Sequence, residues 1–434
     1  MRLWDKGGSV DGSVAAFTTG DDPVLDLNWA RHDLVGSAAH VRVLEAARLV
    51  DGTEARTLLD GLARLLTEAE AGQFTISMDE EDVHTAIEAR LTERLGAVAG
   101  KIHTGRSRND QVLTALRLWT LDQADAAEAE WTALIRALAE FAAIHSDLPL
   151  AGYTHLQPAM PSSYGLWAAG YAAALADTLP LLTAARTLAD RCPLGSAAGY
   201  GTPLPLDREL AAKLLGFSRV ESPVTAPQLM RGVVEAALLG ALGAATGIVA
   251  RWAWDVVIFA SSEFALLRLP ERFTTGSSIM PQKRNPDVAE LLRATAVGVR
   301  AARREIEDIV ALPGGYQRDL QLTKAPLVRG VSAARQALCI ATHLAAVLEP
   351  TPRELDPTLF AAAEAYRRDK PFREAYRDVG HEIAAGTFSA APAPPPTVDV
   401  VGILARLPAT PPPDRWPGWR ALLADGHRAW GDGS

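Results

Sequence analysis

Along residues 110–148, 228–269 and 287–312 apolar side chains recur every three or four positions, and no proline interrupts them. That spacing lays one apolar stripe along a helix of 3.6 residues per turn, where a half-buried strand would alternate. In the first segment Val112, Leu116, Trp119, Ala126, Leu134, Leu138 and Phe141 trace the stripe, and runs of β-branched residues are scarce throughout. The pattern predicts an all-α chain. At ~1.5 Å rise per residue a helix over 228–269 would reach about 60 Å, more than one globular domain needs, so the expected architecture is a long helical bundle. Gly240, Gly243 and Gly247 predict a face where another backbone comes close.

The ends read differently. Residues 1–107 mix short helical patterns with glycine and charged turns, 108–350 hold the long helices, and 351–434 end in a proline-rich tail. These three stretches are the expected domains: N-terminal helical, central bundle and small C-terminal. Within the last, 391–417 carries too many prolines for continuous helix and predicts extended or poorly ordered chain.

Composition narrows the function classes. At 434 residues the chain can bury a large core without disulfides or a structural metal, and 48 % hydrophobic residues leave apolar faces that predict oligomerisation. The formal charge is −9, with Lys and Arg scattered, so neither nucleic acid nor an anionic membrane is an expected partner. Cys192 and Cys339 stand apart without ligand-spaced neighbours and read as buried free thiols. The start, "MRLWDKGGSVDGS", lacks the apolar core of a signal peptide, which predicts a cytoplasmic protein. The most apolar run, 236–250, is shorter than the ~20 residues of a bilayer span and reads as a core helix. No metal, phosphate-loop or dinucleotide signature is present, and no cofactor is expected.

Polar residues gather in three islands, each ahead of a long helix: "KIHTGRSRNDQV" (101–112), "AGYTHLQPAMP" (151–161) and "TTGSSIMPQKRNPD" (274–287). Asn109 or Asp110, Ser162, and Asn285 before Pro286 are the expected helix starters. The first island sets Arg106, Ser107, Arg108 and Asn109 beside Gly105, donors suited to a carboxylate; a solvated helix cap is the plain alternative. The second offers Thr154 and His155, a group that titrates near neutrality, although a lone histidine is more often structural. The third combines Gly276, Ser277, Ser278, Lys283 and Asn285 with Ile279 and Met280, a mixture that suits a flap closing over an anion better than a plain exposed loop. No G-x-S-x-G elbow accompanies the serines. Proton abstraction beside a carboxylate, followed by loss of a leaving group, fits these groups better than acyl transfer.

At these residues the chain resembles a known family. "GSSIMPQKRNP" resembles the signature of the fumarase and aspartase superfamily, and four further segments resemble argininosuccinate lyases: 79–112, "GYTHLQPAMP", "GGYQRDLQLTK" (314–324) and "KPFREAYRDVG" (370–380). The similarity runs over roughly residues 20–385. It implies a three-domain all-α subunit whose central five-helix bundle assembles into a homotetramer, each active site being shared by three subunits. It implies elimination of arginine from argininosuccinate to give fumarate, as in arginine biosynthesis. Carried over by residue, Ser277 is the base that removes the Cβ proton, His155 the acid or relay on the leaving-nitrogen side, and Glu290 its charge partner. Lys283 and Asn285, with Ser107, Arg108, Asn109 and Thr154, hold the succinyl carboxylates and the aci-carboxylate intermediate. Tyr316, Gln321 and Lys324 hold the amino-acid half, and Asp26 matches a substrate-side aspartate.

The chain also departs from the pattern. Where such lyases carry Ser-Asp-Arg-Asp before the long central helix, this sequence reads "SPVTAPQLMRGVVE" (222–235), with Met230 and Arg231 in the region of the Arg-Asp pair. Two other readings therefore stay beside the first: a fumarate-releasing lyase for a different N-succinyl amino compound, and an inactive structural protein like the lens crystallins.

Overall fold

The structure is a computed structural model that describes residues 11–391 and 394–424. The opening residues 1–10, on which most of the leader argument rests, lie outside the described residues.

The chain opens with α1 (Gly12–Thr19), α2 (Ala30–Ala46), α3 (Gly52–Glu70) and α4 (Val83–Leu95). Then comes α5 (Arg108–Ile144), 37 residues long. Six of the seven predicted stripe residues are buried along it; Ala126 is half-exposed, and Ala124 and Ala127 take its place in the core. A hairpin, β1 (Pro149–Thr154) with β2 (Gln157–Ser163), leads into α6 (Tyr164–Thr178) and α7 (Pro180–Ala189). Pro180 opens α7 at a position where its missing N–H costs nothing. α8 (Arg208–Leu215) precedes the three remaining long helices, α9 (Val233–Phe259), α10 (Asp287–Ile309) and α11 (Lys324–Ala345). If α6 and α7 count as one rod broken at Leu179, α5, α6–α7, α9, α10 and α11 pack together as five long rods.

Several sequence expectations change here. The helix expected over 228–269 is shorter: α9 has 27 residues, about 40 Å. Gly232 breaks the pattern at its start with φ +79°, a left-handed conformation that favours glycine. α9 is long and apolar enough to cross a membrane, yet 61 % of its most apolar window is buried inside the protein, as suits a bundle core. Its glycines face α10, whose arginines fill the space beside them: Gly240 meets the Arg303 guanidinium at 3.2 Å, and Gly243 and Gly247 lie against Arg300. Small residues on α9 thus make room for long arginines of α10. Cys192 is buried, and burial pushes its thiol up to about 12, but Cys339 is exposed.

The helix starts also move. Ser107 caps α5, accepting from Asn109 N–H, while Asp110 reaches back to the Ser107 N–H at 3.0 Å. This capping box makes Asp110 the third residue of the helix instead of its cap. Ser163, not Ser162, caps α6: it is the last residue of β2, directly precedes the helix, and its Oγ accepts the Leu166 N–H at 3.0 Å.

The C-terminal stretch divides between two cores. α12 (Ala361–Arg367) and α13 (Phe372–Ala384) build a small one around Ala365, Ala375 and Val379. Beyond them α14 (Val400–Leu404) and α15 (Trp416–Ala424) return to the main core. Among the described residues the tail is therefore not wholly extended. Trp416 and Trp419 flank His32 of α2, and Arg415 pairs with Asp125 at 3.1 Å. Its prolines confine helix to short pieces, and the tryptophans supply the apolar area that holds them down.

Candidate active site

A cleft of about 440 Å³ opens where the start of α5, the start of α4 and the segment before α11 meet. Ser107, Arg108 and Asn109 line it from α5, Glu81, Asp82 and His84 from the α4 side, and Tyr316, Arg318, Gln321 and Lys324 from the last segment. Asp22, Arg106 and Arg231 complete the polar walls.

Local chemistry explains the first wall. Gly105 turns with φ +70°, and a Cβ there would meet Leu204 and Leu206 at 2.9 Å, so the island can turn sharply only with glycine. Asp110 then anchors the helix start from below: its second oxygen accepts the Gly195 and Ala197 N–H groups, both at 2.9 Å. Burial pushes Asp110 up in spite of these donors. His40 bonds the Thr104 carbonyl at 3.0 Å; burial and Arg106 push it down to about 3, so it stays neutral and donates. Arg106 donates to Ser37 Oγ at 2.9 Å. Arg108 pairs with Asp82 and bonds Thr85 Oγ1 at 3.1 Å.

Beneath lies a denser charge network. His84 Nδ1 stands 2.5 Å from Asp33, which also accepts from Gln111 at 2.8 Å. Burial disfavours charge on both, yet their mutual attraction outweighs it: Asp33 is held low, and His84 is raised with help from Asp82 and Asp26. Lys324 is buried between two acids, 2.6 Å from Asp26 and 2.9 Å from Asp22. Against the penalty of burial these two carboxylates keep its ammonium protonated. Asp22 itself is pushed up to about 6, chiefly by burial and then by Asp26, with Lys324 opposing. Asp26 is the closer partner of Lys324, and Asp22 is the surplus acid.

Of the residues expected at the site, the cleft gathers Ser107, Arg108, Asn109, Tyr316, Gln321 and Lys324. Asp26 is placed differently. It is fully buried behind Lys324 and accepts the Val83 N–H at 3.2 Å, so it positions the lysine instead of lining the cleft. The amide of Gln321 is also engaged, donating to the carbonyls of Thr18 and Thr19 at 3.0 and 3.2 Å.

Thr154, His155, Ser277, Lys283, Asn285 and Glu290 do not line this cleft. The second island is not a plain helix lead-in but the tip of the β1–β2 hairpin. Thr154 faces Gln157 across a two-residue turn of His155 and Leu156, with φ of +55° and +58°. Such a turn matches strand twist but normally takes Asn or Gly, and holding two larger residues there costs ~1 kcal/mol or more each. His155 lines a separate cleft of about 480 Å³ with Tyr153, Trp167 and Asp255.

The third island is a loop pinned at its neck. Thr275 and Asn285 exchange both backbone hydrogen bonds, at 3.1 and 2.8 Å, and Arg284 pairs with Glu271 at 2.6 Å. The tip is open: Ile279 is 83 % exposed and Lys283 is exposed. Ser277 Oγ accepts two backbone N–H groups, from Met280 at 3.2 Å and Ile279 at 3.4 Å. Those donors would favour a negative oxygen there. Glu290 sits in the first turn of α10, 3.8 Å from Arg293.

Sequence reasoning did not find Asp22, His84 or Arg231. His84 lies inside the 79–112 segment and Asp22 at the edge of the similar region, but their burial and pairing are tertiary. Arg231 was noticed only as a departure from pattern.

Residues 10–301 match a family model described as Lyase. Argininosuccinate lyase of Sorangium cellulosum is 47 % identical over 392 residues, covering 89 % of this chain and 91 % of that protein. That of Stenotrophomonas maltophilia is 47 % identical over 402 residues, with the same coverage. In fold the chain is similar to a class II fumarase from Schistosoma mansoni, with a TM-score of 0.74 at 15 % identity, covering 86 % of this chain and 88 % of that one. The chain belongs to the argininosuccinate lyase family of the fumarase and aspartase superfamily.

Proposed function

We propose that this protein catalyses the reversible β-elimination of argininosuccinate to fumarate and arginine. The observation that carries the reading is Ser277: within a chain 47 % identical to argininosuccinate lyases, its Oγ receives two backbone N–H groups on an exposed loop. A serine is a weak base, and such donors, with Lys283 on the same loop, favour its ionised form.

The Ser277 alkoxide takes the Cβ proton of the succinyl group. The C–H electron pair moves onto the adjacent carboxylate, giving an aci-carboxylate whose added charge is stabilised by Lys283 and Asn285. When that charge returns to form the fumarate double bond, the C–N bond breaks. His155, with Glu290 as its charge partner, supplies a proton to the departing nitrogen. Ser107, Arg108, Asn109 and Thr154 hold the succinyl carboxylates, and Tyr316, Gln321 and Lys324 face the amino-acid half.

These groups occupy three separate places on one chain, so the reading includes assembly of each site from three copies in a homotetramer. Exposed apolar residues on the bundle support it: Leu291 is 69 % exposed and Val297 60 %, both on α10. An apolar groove of about 550 Å³ along α7 and α9 adds a second such face.

The test is fumarate release, followed by absorbance, from argininosuccinate given to the purified protein; no turnover by a folded tetramer would sink the assignment. Met230 and Arg231 favour weighing a second substrate, so a panel of N-succinyl amino compounds belongs in the same assay. Turnover of any panel member also disposes of a purely structural role.

A further inference from the structure

The cations of the main cleft can be accounted for one by one. Lys324 is taken by Asp26 and Asp22, Arg108 by Asp82, and Arg318 by the Thr18 carbonyl at 2.7 Å, while Arg106, whose Nε is also buried without a partner, keeps a bond to Ser37 Oγ. Arg231 differs. Among the described residues it forms no hydrogen bond and no ion pair; its close contact is the Tyr316 ring, whose centre lies 5.4 Å from the guanidinium carbon. It is only 4 % exposed, and its Nη1 is buried without a partner. Leaving a buried charged donor unmade costs on the order of 1–3 kcal/mol or more. A ligand that completes those bonds removes the cost.

The placement is built into the backbone. Gly232 follows with φ +79°, and a Cβ there would lie 2.2 Å from Val310 Cγ1. Only glycine lets α9 begin at this point, and the turn leaves Arg231 in the cleft wall instead of on the helix. Glu235, one helical turn on, has its own unpartnered buried oxygen and stays beyond ion-pair distance. The guanidinium fork stays free for a planar anion.

Argininosuccinate carries three carboxylates. Two flank the bond that breaks and are the ones assigned above to Ser107, Arg108, Asn109 and Thr154 with the flap residues Lys283 and Asn285; the third, on the amino-acid half, lies far from it. Resting on the reading above, we propose that Arg231 is the clamp for that third carboxylate, and that it makes the enzyme select N-succinyl amino acids over the corresponding decarboxylated amines. The Tyr316 ring, 5.4 Å from the guanidinium carbon, is its neighbour in the cleft wall.

The test compares argininosuccinate with its analogue lacking the amino-acid carboxylate, succinylated agmatine, in wild type, Arg231→Met and Arg231→Lys. Wild type should prefer argininosuccinate by roughly 100-fold in kcat/KM. In Arg231→Met, KM for argininosuccinate should rise about 30- to 100-fold with kcat changed less than about threefold, since a bond made equally in ground and transition state is lost. KM for the analogue should stay put, so the preference falls to within about threefold. Arg231→Lys should retain part of it. Methionine removes an unpartnered buried charge, and an undiminished Tm and unchanged elution volume exclude misfolding. Equal losses on both substrates, or an undiminished preference in Arg231→Met, would overturn the assignment while leaving the lyase reading intact. Wild type silent on argininosuccinate would remove both.

Discussion

The cleft between α4, α5 and α11 and the loop over 274–287 are built on opposite plans. In the cleft most charges are buried or half-buried and held by a partner, as Lys324 is by Asp22 and Asp26 from far along the chain. The loop is closed by its own neighbours at Thr275 and Asn285 and offers its tip to solvent. Charges locked in place suit binding, where geometry must exist before the substrate arrives. A loop pinned only at its neck can move without disturbing the core, which suits a group needed only during reaction.

Substitutions should separate the two plans. On the loop, Ser277→Ala should lower kcat for fumarate release by roughly a thousandfold or more with Tm unchanged, because the base is lost and no packing is. Comparable activity in the variant would remove Ser277 from its role. In the cleft, Lys324→Met should act on stability, leaving Asp22 and Asp26 buried without a cation at a cost of about 3–5 kcal/mol. A Tm equal to wild type would mean the buried pair contributes nothing.

The surplus acid gives a finer test. Asp22 has a folded value near 6, above its ordinary one, so the folded state binds the proton more tightly between about pH 4 and 6. The stability this contributes is fully present below about pH 4 and lost as pH rises through about 6. Asp22→Asn mimics the protonated form. It should match wild type only below about pH 4 and exceed it by roughly 2–3 kcal/mol at pH 7.5, read from Tm at fixed protein concentration. A difference that does not vary with pH would assign Asp22 a different charge state. Smallest is Ser107→Ala, which removes the α5 cap and should cost about 1 kcal/mol, seen as a small fall in Tm.

Local patterns were legible where local physics decides. The stripe from Val112 to Phe141 marked α5, and the polar islands marked its start and that of α10, since helix periodicity and capping depend on residues within a turn or two. The same reasoning put the caps of α5 and α6 a few residues off. The Ser107–Asp110 box needs both partners in view, and the hairpin that places Ser163 depends on a two-residue turn no local rule suggests for His155 and Leu156.

By itself the sequence determined that the chain is helical, that three polar stretches interrupt it, and which donor-rich motifs they carry, because these follow from side-chain spacing and backbone chemistry. Only the tertiary structure decided which charges meet. Asp26 went behind Lys324, Asp22 came to the wall, and Arg231 was left in the cleft without an anion. The physical reason is that burial and pairing belong to elements far apart in the chain, and Coulomb and desolvation energies depend on distance in space, not on separation in sequence.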